Sequence, residues 1–377
     1  MVETTPDDVH AEMKESASTT SSEEVHTSPA ATTHSASDQT HESAGYCLLA
    51  LDGGGVRGLS TLFILQNIMN RLNYIRSRAG LQPKKPCDIF DLIGGTSTGG
   101  LIAIMLGRLQ MSVEECITAY VTLMKEVFEK RINRSRIDFR GKVKPQFSST
   151  VLKEAISKVV RGCGVPLDEK FDNGSEPRCK VFVCTNLQAT NTIARLRNYR
   201  TASSGCDFQP TIIEAALATS AAQTYFSEIK IGASFFVDGA IGANNPTADV
   251  EAEARDLWCE ETGNLQPLVK CFVSIGTGHP GVGKGADKRV AHLLKILKQQ
   301  ATQTESMNQE FLGRWRDHVK RGKCFRFNVT HGLEHVRLQE YEEQGQLQSA
   351  TTAYLVEHET KTRVRICVEN LRSKSCT

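Results

Sequence analysis

Short apolar runs alternate with longer amphipathic runs along the chain from Tyr46 onward. The short runs have the length and apolar content of buried strands, and they predict β-strands at residues 47–51, 89–93, 180–185, 235–237, 270–275 and 325–329. The longer runs predict helices, such as residues 59–72, where apolar side chains recur on one face. Strands that alternate with helices in this way indicate an α/β protein with a mainly parallel central sheet.

A second helix is predicted from its start signal as well as from its apolar face. Ser112 is followed by Glu115 at the spacing of a capping box, and apolar residues recur at helical intervals as far as Phe128. We expect the methionine and the aromatic residues of this face to serve the hydrophobic core.

Residues 1–45 depart from this pattern. They carry nine acidic residues and one lysine, so their net charge is −8 and that of the remainder is +10. With almost no large apolar side chains, such a segment cannot offset the entropy of ordering, which predicts a disordered acidic tail rich in Ser and Thr. Its histidines are too widely spaced for a compact metal site, and we expect none at His10, His26, His34 and His41.

No apolar run reaches the roughly 18 residues that could span a bilayer, and the N-terminus lacks the basic and apolar pattern of a secretory signal. We therefore expect a cytoplasmic protein and leave open peripheral association with membranes or lipid droplets. Residues 131–146 are basic with interleaved apolar residues, which fits either a surface loop or a patch for anionic lipid head groups.

The loop after the first predicted strand contains three consecutive glycines, in the sequence Asp52-Gly53-Gly54-Gly55-Val56-Arg57-Gly58. Glycines let backbone N–H groups face a cleft, and the helix start behind them favours negative charge, as an oxyanion hole requires. The loop also matches the G-x-G-x-x-G pattern of dinucleotide-binding enzymes, so a nucleotide-binding oxidoreductase is an alternative. No acidic residue stands where such an enzyme would bind the ribose, which argues against it.

A serine lies between small residues after the second predicted strand, in the sequence Gly94-Gly95-Thr96-Ser97-Thr98-Gly99-Gly100. An apolar helical run follows. This is the context of a nucleophile elbow, in which small residues such as Gly95 and Gly99 permit the strained turn that exposes a serine hydroxyl. The pattern predicts that Ser97 is a nucleophile.

A serine nucleophile needs a base that accepts its proton, and the sequence offers two arrangements. Asp238, in an acidic turn with Gly239 and Ala240, follows an apolar strand that would carry its carboxylate into a cleft and raise its proton affinity. His279 follows a later strand, so a Ser-Asp-His triad stays open beside a Ser97–Asp238 dyad.

In order and spacing, these segments resemble those of the patatin-like phospholipase family, and residues 215–222, 237–246 and 274–278 also look like signatures of that family. The resemblance covers residues 46 to about 330. It implies a three-layer α/β/α sandwich and a Ser97–Asp238 dyad, with His279 capping a strand and taking no part in catalysis. It also implies an oxyanion hole in which Gly54 and Gly55 are the donors and Arg57 supports the loop or a substrate phosphate, within the set Gly53, Gly54, Gly55, Arg57 and Gly58.

One position departs from the family pattern. Gln223 stands where family members usually carry proline, and we expect this to alter a loop at the cleft.

The function expected from these features is that of a lipid acyl hydrolase of the phospholipase A or lysophospholipase type. It would act on lipid substrate at a membrane surface through a covalent acyl-enzyme, with no cofactor, no metal, no nucleic acid and no dedicated protein partner. A catalytically silent lipid-binding protein is a further alternative, and acyl transfer to an alcohol stays open. We expect residues 46–330 to form the catalytic domain and residues 331–377 a helical extension packed on it.

Overall fold

The computed structural model describes residues 45–132, 144–201, 208–279 and 306–374. Most of the predicted acidic tail, including its four histidines, and the larger part of the basic segment at 131–146 lie outside the described residues. Within the described part of the chain, no helix is both long and apolar enough to cross a bilayer.

An eight-stranded sheet forms the centre of the fold. Its strands are β1 (Tyr46–Leu51), β2 (Leu92–Thr96), β3 (Lys180–Leu187), β4 (Thr192–Arg197), β5 (Ile229–Ile231), β6 (Ser234–Asp238), β7 (Val269–Ile275) and β8 (Cys324–Phe327). The order is β5-β6-β3-β2-β1-β7-β8, and β4 also pairs with β3. The neighbouring strands β3, β2, β1, β7 and β8 pair parallel to one another. Strands β4 and β6 pair antiparallel with β3, and β5 pairs antiparallel with β6. The predicted α/β architecture with a mainly parallel sheet is confirmed.

Helices cover both faces of the sheet. They are α1 (Gly58–Arg78), α2 (Thr98–Ala103), α3 (Val113–Phe128), α4 (Ser149–Gly162), α5 (Ile212–Thr219), α6 (Thr247–Trp258), α7 (Arg316–Lys320), α8 (Gln344–Val356) and α9 (His358–Arg372). Alternate residues of β1 enter different cores: Leu49 packs with α1 and α3, and Leu48 packs with α6 and Trp315. The result is the three-layer α/β/α arrangement. Near the end of the chain, α8 and α9 pack against α1.

Two features of the sheet differ from the sequence prediction. The second strand was expected at residues 89–93 but begins at Leu92, because Ile89 and Phe90 close a turn by donating to the carbonyl of Pro86. This strand continues through Gly94, where a Cβ would lie 2.4 Å from the Phe182 ring, so the neighbouring side chain fills the space over the glycine. Strands β4 and β5 were not predicted.

Strand β4 was not predicted because Arg195 and Arg197 interrupt its apolar pattern. Their partner is Glu253 of α6, which is fully buried. Glu253 accepts hydrogen bonds from Arg195 at 3.0 Å, from Arg197 Nε at 2.7 Å and from the Tyr199 hydroxyl at 2.6 Å. Burial alone would raise the pKa of Glu253, but the hydrogen bond and charge of Arg197 outweigh it and hold the pKa below the ordinary value.

Glu253→Gln should lower the free energy of unfolding by about 3 kcal/mol, because it takes the carboxylate from the partly buried Arg197 and leaves Arg195 with Asp249 alone. Glu251→Gln is the matched control on the same helix. The arginine partners of Glu251 are 44% and 48% exposed, so its loss should cost under about 1 kcal/mol. Urea denaturation of both variants checks this, and equal losses would contradict it.

Candidate active site

Ser97 lies in a sharp turn between β2 and α2. Its backbone has φ 55° and ψ −126°, a conformation that residues with a side chain rarely adopt. The turn needs glycine at both flanks: a Cβ on Gly95 would lie 2.2 Å from the Gly99 carbonyl oxygen, and one on Gly99 would lie 2.2 Å from that of Leu51. The predicted strand-turn-helix context of Ser97 is present.

The register of β3 brings Asp238 to this turn. β2 pairs with β3 up to the Thr96–Cys184 pair, and β6 runs the other way and pairs from Thr185–Asp238 onward. β4 pairs with the other edge of β3 along residues 182–187. β2 and β6 therefore lie one after the other along the same edge of β3, with their ends facing each other. Ser97 Oγ donates a hydrogen bond to Asp238 Oδ2 at 2.6 Å.

Burial changes the acidity of Asp238. The residue is 5% exposed, and this burial raises the pKa of its carboxyl from 3.8 to about 7, although hydrogen bonds from Ser97 and from the Ala240 N–H oppose the shift. Oδ1 accepts the Ala240 N–H at 2.8 Å, which fixes the carboxylate plane. Gly239 packs against the β3 backbone, where a Cβ would lie 2.7 Å from the Cys184 carbonyl group.

Thr219, at the end of α5, anchors the serine turn from behind. Its hydroxyl accepts the Ser97 N–H at 2.9 Å and donates to the Cys184 carbonyl at 2.7 Å. Sequence reasoning gave Thr219 no role, although it falls within the family-like run at residues 215–222.

The glycine loop faces Ser97 and is held by groups from distant elements. Gly53 N–H donates to the Asn244 carbonyl at 3.0 Å, and the Gly53 carbonyl accepts the Thr277 hydroxyl at 3.1 Å. Gly54 N–H donates to Thr98 Oγ1 at 3.1 Å. The amides of Gly53 and Gly54 are thus hydrogen-bonded within the protein.

Two further contacts fix the peptide between Gly55 and Val56. The Gly55 carbonyl accepts the Tyr120 hydroxyl of α3, and Val56 N–H donates to the Leu338 carbonyl at 2.9 Å. Gly58 N–H donates back into the turn, to the carbonyls of Gly55 and Val56. Among the described residues no acceptor is found for the Gly55 N–H, which leaves it available to a ligand.

Arg57 lies buried against the cleft, and no carboxylate of the described residues pairs with it. Its side-chain Nε and Nη1 make no hydrogen bond to the described residues, and it is only 5% exposed. Burial lowers the pKa of this guanidinium to about 10, opposed by the nearby Tyr225 hydroxyl. A buried cation in this state favours an anionic ligand.

The cleft over Ser97 encloses about 1470 Å³, open solvent at its mouth included. One wall is apolar and comes largely from α3, α4 and their neighbours: Leu101, Met124, Val127, Phe128, Leu152, Phe226 and Leu338. Helix α3 begins with the predicted Ser112–Glu115 capping box. The expectation that its apolar face serves the core is confirmed, since Tyr120 and Met124 belong to the core and Phe128 packs against it. Met124 and Phe128 also line this cleft.

His279 and Gln223 also line the cleft. His279 Nε2 is 3.4 Å from the Asn328 side-chain nitrogen, whereas the side-chain partners of Asp238 are Ser97 and Ala240. Gln223 is exposed in the turn after α5. No group of three or more His, Cys, Asp or Glu side chains suited to a metal ion occurs among the described residues.

A strained serine hydrogen-bonded to a buried aspartate, opposite a glycine loop on an α/β/α sandwich, defines the class of protein. The profile described as patatin-like phospholipase matches residues 49–250, more than half of the chain. The chain belongs to the patatin-like phospholipase family.

The chain is also similar in sequence to curated proteins, among them three whose identity and coverage are as follows. The calcium-independent phospholipase A2-gamma of Rattus norvegicus is 31% identical over 245 residues, covering 62% of this chain and 28% of the relative. Patatin-like phospholipase 1 of Plasmodium falciparum is 30% identical over 311 residues, 75% of this chain and 43% of the relative. The cGAMP-activated phospholipase of Vibrio cholerae is 30% identical over 207 residues, which cover 53% of this chain and 55% of the relative. The matches span only 28% to 55% of these relatives.

Asp238→Asn should stabilise the protein increasingly as the pH rises. An unfolded chain releases this proton near the ordinary pKa, but the folded protein holds it up to about pH 7, so wild-type stability falls as the pH rises between those values. An amide does not ionise and escapes this loss. Thermal unfolding from pH 4 to pH 8 should give a Tm difference that grows through the window and levels off above about pH 7.

Asp168→Asn, at an exposed position, is the control and should keep a constant Tm difference. A constant difference for Asp238→Asn as well would show that burial does not raise the pKa of Asp238.

Proposed function

We propose that this protein is a serine lipid acyl hydrolase that cleaves fatty-acyl esters of glycerophospholipids. The observation that carries the proposal is the 2.6 Å hydrogen bond from Ser97 Oγ to Asp238 Oδ2 opposite the available Gly55 N–H. It combines a nucleophile, a base and an oxyanion donor in one cleft. Family membership and relatives named as phospholipases support the reaction class.

Each step uses groups of the site. Ser97 Oγ attacks the ester carbonyl carbon while Asp238 accepts its proton, and the negative charge on the carbonyl oxygen is stabilised by the Gly55 N–H. A base with a pKa near 7 can both take this proton and return it at neutral pH. Asp238 then protonates the departing alcohol, the lyso-lipid, as the acyl-enzyme forms.

Water completes the cycle by attacking the acyl-enzyme while Asp238 accepts one of its protons. Asp238 then returns this proton to Ser97 Oγ as the bond between Oγ and the acyl carbon breaks, which releases the fatty acid and restores Ser97. No step requires a metal ion. The name of the rat relative, a calcium-independent phospholipase, agrees with this.

The walls of the cleft support a lipid substrate presented at a membrane surface. Met124, Val127 and Leu152 are buried side chains that offer an acyl chain an apolar path beside Ser97. Arg57 supports a phospholipid over a neutral ester, because its buried guanidinium, whose Nε and Nη1 make no hydrogen bond to the described residues, suits a phosphate oxygen. The same apolar wall argues against the nucleotide-binding alternative.

Incubation with a mixed phospholipid extract, followed by mass spectrometry, tests this function. We expect free fatty acids and lyso-phospholipids, and covalent labelling of Ser97 by a fluorophosphonate. Ser97→Ala and Asp238→Ala should each reduce product by at least about 1000-fold, since either change removes the proton-transfer pair. His279→Ala should retain activity.

The other outcomes identify the alternatives. Binding to vesicles without product or labelling would indicate a silent lipid-binding protein. Acyl esters of an added alcohol would indicate a transferase. A His279→Ala variant as inactive as Asp238→Ala would overturn the dyad in favour of a triad.

Arg57→Met should impair hydrolysis of a phospholipid more than that of a neutral glyceride with the same acyl chains. A charge-assisted hydrogen bond to phosphate is worth about 1.5–3 kcal/mol, so kcat/KM for the phospholipid should fall about 10- to 100-fold more. Arg57→Lys is the matched variant and should retain part of the preference. Equal losses on both substrates would assign Arg57 to the support of the loop.

A further inference from the structure

Arg326 is a buried arginine that lies beyond residues 49–250, the segment that matches the family. Its side chain contacts Asp52, the first residue of the glycine loop. Arg326 stands in β8 opposite Ser274 of β7, which stands opposite Ala50 of β1. Asp52 lies two residues beyond Ala50 and therefore on the same face of the sheet. The arginine crosses β7 over the small Ser274 side chain to reach Asp52.

Arg326 and Asp52 form a bidentate ion pair. Arg326 Nη1 donates to Asp52 Oδ1 at 2.8 Å, and Nη2 donates to Oδ2 at 2.6 Å. Asp52 is 3% exposed and Arg326 is 7% exposed. Gly276 leaves room for this geometry, because a Cβ there would lie 2.8 Å from Nη2. A two-point contact of this kind fixes orientation as well as distance.

The same guanidinium also acts on the loop by a second route. Nη1 donates to Ser274 Oγ at 2.8 Å, and that hydroxyl is 2.8 Å from the Thr247 hydroxyl. Thr247 donates to the Asn245 side chain. The neighbouring Asn244 carbonyl accepts the Gly53 N–H at 3.0 Å. Arg326 thus connects the first residue of the loop with the turn that holds its first glycine.

We propose that Arg326 is a positioning residue for the reaction, and that it sets the orientation of the glycine loop through Asp52. Only Gly53 and Gly54 separate Asp52 from the 3-10 helix that begins at Gly55, so a rotation at Asp52 is carried over a short distance to the Gly55 N–H. The inference rests on the proposed function, in which that N–H stabilises the oxyanion.

Arg326→Lys tests this, because lysine keeps the charge but loses the two-point contact. We expect kcat to fall about 100-fold with KM unchanged, since a displacement of about 1 Å at a reacting group has that effect. The rate of fluorophosphonate labelling should fall in the same proportion, because the phosphoryl oxygen of this probe uses the same donor. Circular dichroism and Tm establish that the variant is folded.

Arg363→Lys is the matched control. Arg363 donates to the backbone carbonyl of Arg326, and its guanidinium lies 5.3 Å from the Phe327 ring centroid. It therefore contacts the same strand without touching Asp52, and its replacement should leave kcat and labelling unchanged even where Tm falls.

Asp52→Asn is a second variant that tests the same contact from its other side. It should lower kcat by a similar factor, and Arg326→Lys should add little in that background, because both changes break one contact. If Arg326→Lys does not fold, the double variant Asp52→Asn/Arg326→Met, which removes both charges together, replaces it with the same expected loss of kcat.

Wild-type kcat and labelling rates in folded Arg326→Lys would overturn the positioning role and leave the hydrolase intact. So would a loss matched by Arg363→Lys at equal Tm. A wild-type protein that neither hydrolyses lipid nor reacts with the fluorophosphonate would instead overturn the function and this inference with it.

Discussion

The site depends on one feature of the sheet: a single edge of β3 carries two strands end to end. β2 leaves this edge at Cys184, and β6 enters it from the opposite direction at Thr185. The last residue of β6 therefore meets the first residue after β2, which places Asp238 against Ser97 across 141 positions of sequence. In the proposed mechanism, the glycine loop and the apolar cleft gain a chemical role only because this register supplies a base.

This arrangement costs stability at two neighbouring residues. The backbone of Ser97 has a conformation that costs about 1–3 kcal/mol, and Asp238 loses hydration that a surface carboxylate keeps. Hydrogen bonds from the Ala240 N–H and to Thr219 offset part of the cost. Strain and a perturbed carboxyl at one point of a well-packed sheet indicate selection for chemistry, because folding alone would favour a relaxed turn and a neutral side chain.

Features that depend on neighbouring residues could be predicted from the sequence. The small residues around Ser97 and the glycines of the loop each form a local pattern, and the apolar strand before Asp238 indicated its burial. Strand β4 could not be predicted in the same way. Its arginines have the pattern of a surface segment until Glu253, more than fifty residues later, is known to neutralise them.

The groups that hold the glycine loop have no local signature at all. Tyr120 acts through a hydroxyl, Leu338 through a backbone carbonyl and Arg326 through a buried ion pair, and these groups occur throughout any protein. Only the order of the strands and the packing of α3 bring them to one loop. Leu338 and Arg326 also lie beyond residue 250, where the family match ends. The matched segment thus contains the groups that we propose to react, whereas part of what holds their geometry comes from β8 and the chain that follows it.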